Sequence, residues 1–410
     1  MYNILYLKDF AIQKVFEMEE NILNNIEDSN EEAVVNETQP KKVKFKLKDI
    51  PEYVPVWSFV IFGLTIASVV LYLIYTKNPQ FADFLNDTIG RAIRFVLAQV
   101  TSIIPFSLTE TVILTSPVLM FLAIFILFKV YDKGKKKYYR TGVIYMTVAC
   151  IVITTFLLGF QPSFYNPTID KKLGFDRQKV SAEQLYETGL ILLNNCEAEL
   201  DSVTFPKGTY SSMMMTYDEL NEEMNKSWQK VNELYPSFQK MNTRLKPVMF
   251  SFLWTYTHIS GMYSAISGEA NINVNYPDYI IVSSCAHEMA HQRGIGREDE
   301  ANFVAFLVCS NSDNPYVRYA GYLDAFVEVA NSLYSADKDL YSKLMRQKDD
   351  RITEEQVAYS KFFDKYRTNT AAKVSDAVNN TTIKMHGQST GVKSYGLVVD
   401  LLVAYYAPKV

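Results

Sequence analysis

Cys285-Ala286-His287-Glu288-Met289-Ala290-His291-Gln292-Arg293-Gly294 is the stretch on which the reading of this chain turns. It contains the pattern H-E-x-x-H. On a helix, residues four apart lie one turn above each other on the same face, so His287 and His291 can present two imidazole nitrogens to one ion. Glu288 sits beside the first of them, displaced toward the open coordination position, where it can take a proton from an activated water. Neutral imidazoles suit zinc better than magnesium or calcium, so Zn2+ is the expected cofactor. Two of the four histidines in the chain fall within these five residues. The plainer alternative is a core helix whose histidines satisfy buried polar groups.

A catalytic zinc needs a third protein ligand and an open position for water. Gly294 and Gly296 lie where the helix would end and the chain reverse. Arg297-Glu298-Asp299-Glu300-Ala301-Asn302-Phe303 then resumes helical spacing, with acidic residues in the first turn where the helix dipole favours them. Glu298 is the expected third ligand and Glu300 its rival. Asn302, four residues beyond Glu298 on the same face, is placed to bond the second nitrogen of a ligand histidine. Acidic residues not used in this way would cap the helix.

Outward from this core, the 410 residues are 48% hydrophobic, 14% aromatic and only 21% charged. A formal net charge of -4 gives no basic surface for nucleic acid. Four cysteines without a CxxC spacing exclude a disulfide scaffold and a thiolate zinc finger. Cys285 and Cys309 flank the motif as small apolar residues, Cys150 lies within an apolar run, and Cys196 is open to pairing with another outer cysteine.

Three apolar runs reach membrane length: about 54–75, 111–128 and 142–160. The first contains no charged residue, and the second tolerates Pro117 as membrane helices can. Lys41, Lys42, Lys44, Lys46 and Lys48 precede the first run. Lys129, Lys133, Lys135, Lys136, Lys137 and Arg140 separate the second from the third, whereas the longer connection after the first carries only Lys77, Arg91 and Arg94. Basic flanks stay cytoplasmic, so residues 1–53 form a cytoplasmic, mostly disordered tail and 54–161 an anchor in the cell membrane. Residues 162–410 then form an extracytoplasmic domain. The first apolar run begins too late for a cleavable signal peptide. Phe81, Phe84, Leu85, Ile89, Ile93, Val96, Leu97 and Val100 recur with helical spacing, as in an amphipathic helix on the outer membrane face or packed on the bundle.

In the outer domain, residues 180–245 read as amphipathic helices with Leu185, Leu190, Leu192 and Leu193 on an apolar face. Residues 261–275 read as a hairpin or strand pair, and the motif helix is expected to start near Val282. Residues 320–370 read as charged helices. The run 398–406 is short and contains Asp400, which makes it a core helix.

H-E-x-x-H followed by E-x-x-A-N resembles the gluzincin branch of zinc metallopeptidases, although Asn302 stands where that branch commonly has Asp and the linker is short. The chain resembles one bacterial membrane-protein family more closely. The matching strings are Gly268-Glu269-Ala270-Asn271, the HEMAHQRG run, Arg297 to Phe303, Arg318-Tyr319-Ala320-Gly321-Tyr322-Leu323 and Ser394-Tyr395-Gly396-Leu397-Val398-Val399-Asp400-Leu401-Leu402. These are similar to the domain-of-unknown-function 3810 family, regarded as zinc-dependent peptidase-like. The resemblance covers about residues 54–408 and implies a zincin-like domain. Zincins place an edge strand before the motif helix, to which a substrate backbone adds by strand pairing. Glu269, Asn271 and Asn273 are the expected cleft residues. Tyr395, Arg318 and His258 are candidates to stabilise an oxyanion, with Tyr395 first on the strength of the family string. His386 reads as a loop histidine.

The expectation is a mainly α protein: a three-helix transmembrane anchor, then a largely helical zincin-like domain with a small β-hairpin. It would hydrolyse a peptide or protein substrate outside the lipid bilayer, with Glu288 as general base. A membrane-anchored zinc-binding sensor or scaffold without peptidase activity is the alternative. A site buried in the bilayer is disfavoured by the polar flanks Asp278, Ser283, Ser284, Gln292 and Arg293.

Overall fold

The computed structural model describes residues 50–175, 177–206, 210–367, 369–385 and 398–407. Residues 1–49 of the N-terminal tail, His386 and Tyr395 therefore lie outside the described residues, and the tail's last four residues, Ile50–Tyr53, form a helical turn. The described residues from 51 onward form one compact unit, mainly helical with few strands.

Three helices are long and apolar enough to cross a membrane: α1 (Val56–Tyr75), α4 (Leu108–Tyr131) and α5 (Lys135–Gly159). The C-terminal bounds of α1 and α5 and the N-terminal bound of α4 fall within about three residues of the apolar runs that predict them, and α4 and α5 extend further into their polar flanks. Pro117 sits inside α4. With apolar side chains facing outward, contact between α1 and α5 is fixed by hydroxyls: Thr65 Oγ1 lies 2.9 Å from Thr154 Oγ1. The Tyr75 hydroxyl donates to the Leu157 carbonyl at 2.8 Å, which sets the C-terminal ends of α1 and α5 level.

Between α1 and α4 the expected amphipathic segment folds as α2 (Pro79–Leu85), a π-turn (Asn86–Gly90) and α3 (Arg91–Ser102). Its inner face packs on α5 and on the sheet, while Phe95, Val96 and Val100 face outward. Arg94 on this inner face is buried. It donates to the Gly159 carbonyl (2.7 Å), Asn86 Oδ1 (2.9 Å), the Asn86 carbonyl (3.0 Å) and Gln239 Oε1 (3.3 Å). Burial lowers the guanidinium to about 10, which leaves it charged at neutral pH.

The region after α5 is built on α6 (Ala182–Glu199), α7 (Tyr217–Leu234), α9 (Asp278–Gln292), α10 (Glu298–Ser310), α11 (Pro315–Ala336), α12 (Lys338–Met345), α13 (Asp350–Asp364), α14 (Thr370–Met385) and α15 (Val398–Tyr406). Ser181 with Gln184, and Thr216 with Glu219, form capping boxes that start α6 and α7. Leu185, Leu192 and Leu193 are buried as expected, Leu190 only partly. Residues 200–216 and 235–245 interrupt the long helical reading of 180–245. α9, α10 and α11 pack on one another, and α11 lies along α6. Their shared core includes Leu192, Phe303, Phe326 and Leu333; each such side chain contributes about 1.5–3 kcal/mol by burial. α15 docks on α10 as a core helix. All four cysteines are free, so Cys196 pairs with none of the others.

The hairpin is present as β2 (Gly261–Ser264) and β3 (Glu269–Ile272), paired antiparallel with Gly261 opposite Ile272. A third strand, β1 (Lys246–Pro247), pairs parallel with β3, so the order is β1-β3-β2. β3 is thus central and β2 is an edge. A short helix, α8 (Ser251–Thr255), connects β1 to β2. α9 packs against both β2 and β3 and starts at Asp278, one turn earlier than the sequence suggests. Asp278 is engaged there, accepting from the Met213 backbone at 3.0 Å.

Candidate metal centre

α9 carries His287, Glu288 and His291 on its face toward β2, and the chain then reverses. Gly294 adopts φ +89° at the bend, a conformation that side chains disfavour; a Cβ there would also stand 2.3 Å from Arg94 Nη2. The bend brings the Ile295 carbonyl back over the helix, where it lies 2.7 Å from His291 Nδ1. A carbonyl only accepts, so Nδ1 carries the proton and Nε2 is free to ligate.

α10 starts at Glu298 and presents it to both imidazoles. Glu298 Oε2 is 3.3 Å from His287 Nε2 and 3.5 Å from His291 Nε2, and the two Nε2 atoms are 3.0 Å apart. Ligands at 2.0–2.1 Å around a tetrahedral ion stand about 3.3 Å from one another. These three groups are therefore spaced to share one cation. The other two acids of the same turn are used elsewhere. Asp299 pairs with Arg177 at 2.9 Å. Glu300 accepts from Arg297 at 2.9 Å and from the Ile169 backbone at 3.0 Å, away from the histidines. The geometry thus favours Glu298 over Glu300.

Glu288 is buried beside the cluster. A Cβ on Gly261 would stand 2.6 Å from Glu288 Cγ and 2.7 Å from Oε1, so the strand lies directly against the carboxylate because position 261 is glycine. Burial raises the Glu288 carboxyl above its ordinary value. The two imidazoles oppose that, Glu298 adds to it, and the Tyr263 backbone opposes it again.

The cluster opens into a cavity of about 1330 Å3 lined by β2, α9, α10, α11 and α14. Several expected site residues lie elsewhere. Glu269, Asn271 and Asn273 are buried and do not line the cavity, because β3 is the central strand. Glu269 accepts from the Leu108 and Thr109 backbones at 3.0 and 2.9 Å and caps α4. Asn271 accepts from Ser107 Oγ at 2.6 Å, and Asn273 donates to the Ile259 carbonyl at 2.8 Å. Residues of β2 and its flanks, from Thr257 to Ile266, line the cleft instead. Arg318 is held by both oxygens of Glu199 at 2.7 Å and does not reach the cavity. His258 lines the cavity with Nε2 bound at 2.8 Å to the Tyr366 carbonyl. Asn302 also lines it, but among the described residues it bonds neither histidine; the Ile295 carbonyl takes that part for His291.

Two acids that the sequence does not single out face the same cavity from α11. Burial raises Asp324 to about 6, opposed by the nearby His287, and raises Glu328 to about 7, with Asp324 adding to the effect. Their i, i+4 spacing puts them on one face, but nothing local links that face to the histidines.

Fold and site together define a mainly helical protein with three membrane-length helices and a buried His–His–carboxylate cluster. The family model described as "Protein of unknown function (DUF3810)" matches residues 86–403, and the chain belongs to that family. No curated protein and no solved structure matches it.

Proposed function

We propose that this protein is a membrane-anchored, zinc-dependent peptidase with a zincin-like helical domain, acting on peptide bonds of a peptide or protein substrate at the outer face of the cell membrane. The observation that carries the reading is the trio of ligand atoms 3.0–3.5 Å apart with the buried Glu288 carboxyl beside it. His287, His291 and Glu298 would hold zinc, which when bound supplies a Lewis acid for the scissile carbonyl and the attacking water. Glu288 takes a proton from that water as its oxygen bonds to the carbonyl carbon. It then delivers the proton to the amide nitrogen as the C–N bond breaks. A carboxyl raised by burial suits both halves of this task. β2, an edge strand lining the cavity, offers its free side to a substrate backbone.

The three crossings and the distribution of Lys and Arg support a cytoplasmic N-terminus and an extracytoplasmic catalytic domain, with the lipid bilayer as the constant partner. The test is Glu288→Gln in the purified full chain. Zinc content should stay at wild-type level while hydrolysis of a mixed peptide library falls by about 10^2–10^4-fold. Equal hydrolysis by both proteins rejects the role of Glu288. A wild-type protein that holds zinc and cleaves nothing favours the sensor or scaffold.

A further inference from the structure

The cavity does not end at the histidines. It continues along β2 to the hairpin turn at Ile266, which is 54% exposed, and Phe156 and Phe160 at the outer end of span α5 also line it, with the Phe160 ring 5.0 Å from that of Tyr263 in β2. Ser267, next to Ile266, lies with its Oγ 2.8 Å from Thr109 Oγ1 in the first turn of span α4. This end of the cavity is therefore level with the outer ends of two spans, and the Tyr75–Leu157 bond brings α1 to the same level.

A second feature lies beside it. Between Lys246 and Glu269 the chain has no charged residue, and it includes Met249-Phe250-Ser251-Phe252-Leu253-Trp254-Thr255-Tyr256. Met249 is 77% exposed, Phe252 52% and Leu253 48%. The segment's height is fixed by Glu110, in the first turn of α4, whose carboxylate accepts from the Met249 and Phe250 backbones, both at 2.8 Å. In water such a contiguous apolar lip is a liability. At the boundary of a bilayer, aromatic and aliphatic side chains are the favoured occupants. The lip's continuity with the span ends and its freedom from charge argue for lipid as the covering phase.

An apolar wall joins the span ends to the cluster: Phe156, Phe160 and Phe164 line the cavity, and the Phe160 ring reaches His291, with centroids 6.1 Å apart. The cavity's volume also exceeds the roughly 300–1,000 Å3 of a small-molecule pocket. We infer that the cavity opens sideways onto the outer bilayer surface, past the lip at 249–256 and the β2–β3 turn, and admits a peptide anchored there by an acyl chain. The acyl chain enters along the apolar wall, and the backbone lies along β2. Calling this peptide a substrate rests on the peptidase reading; the site of entry does not.

The experiment uses the full chain in phosphatidylcholine–phosphatidylglycerol vesicles. Nitroxides on Phe252→Cys and Leu253→Cys, with the unsubstituted protein as blank, should be more accessible to oxygen than to an aqueous nickel chelate. Zinc-loaded Glu288→Gln protein is then exposed to an N-palmitoylated peptide of mixed sequence carrying a benzophenone, and to the same peptide without the acyl chain. The palmitoylated form should cross-link within β2 or α9 at least tenfold more. A Phe252→Glu/Leu253→Glu variant should lower that yield at least fivefold at unchanged zinc content, with the Ser/Ser pair as a milder version should the charged one misfold. Labels in water, equal cross-linking of both peptides, cross-links only outside the cavity, or spin–spin broadening from a second copy on the lip would each overturn the proposal. Retained cross-linking with no cleavage by the wild-type protein sinks only the peptidase reading.

Discussion

Adding zinc to the metal-free protein at pH 7 should eject about one proton per site. Burial acts to lower the His291 imidazole, but the Glu298 carboxylate 3.5 Å away outweighs it and raises the group to about 9. Burial likewise acts to raise Glu298, and His291 and His287 together hold it well below the usual carboxylate range. The metal-free cluster is thus an imidazolium–carboxylate pair at neutral pH, and a metal must displace the proton because only neutral imidazole ligates. Below about pH 9, each unit of falling pH then weakens apparent affinity about tenfold, or about 1.4 kcal/mol. Between pH 9 and pH 7 the loss is about 50-fold. Calorimetric titration in buffers of different ionisation enthalpy reads the proton count directly: about one at pH 7, falling to about a quarter at pH 9.5. Glu298→Gln removes the charge that lifts His291, so proton release and zinc affinity should fall together. A proton count of zero at pH 7, or an affinity that stays flat from pH 6 to 9, would refute the pairing of these groups.

Other consequences concern neighbours of the cluster. Gly261→Ala must push Glu288 away from a Cβ only 2.6 Å from its Cγ; a displacement near 1 Å should cost about 10^2-fold in hydrolysis with zinc content unchanged. Glu300→Gln should keep zinc but lose about 1–3 kcal/mol of stability in denaturant titration, because it weakens the buried contacts to Ile169 and Arg297. The metal-free protein should also lose stability as pH rises. The raised His291 contributes fully below its ordinary value of 6.5, and about 3 kcal/mol of that is gone once pH passes 9. Thermal unfolding with a chelator at pH 6 and pH 9.5 measures it. All four cysteines should titrate as thiols after denaturation, with those at 196, 285 and 309 unreactive in the folded chain.

Much of the candidate site is legible in the sequence, because His287, Glu288 and His291 lie within one helical turn. The glycine-bearing bend was readable too, because Gly294 marks a backbone reversal that a side chain would resist. Other expectations failed for a common reason. Assigning Glu269, Asn271 and Asn273 to the cleft requires β3 to be an edge, and its neighbour β1 lies 25 residues upstream at Lys246, paired in parallel. No local periodicity announces such a partner. Arg318 is a candidate for the oxyanion by sequence, but its partner Glu199 is 119 residues away. Asp324 went unnoticed because what places it near His287 is the packing of α11 on α9.

The sequence by itself determined the three membrane-length apolar helices and the pairing of His287 with His291. Both are written in one segment: an uncharged run long enough for the bilayer, and two residues one helical turn apart. The tertiary structure decided between Glu298, the expected ligand, and its rival Glu300, and it alone made β2 the edge and set Gly261 against Glu288. Each of these depends on how one element is rotated or ordered against another. That rotation is fixed by side chains meeting across long stretches of chain, such as the Glu300–Ile169 and Glu269–Thr109 bonds, whose partners no residue spacing reveals.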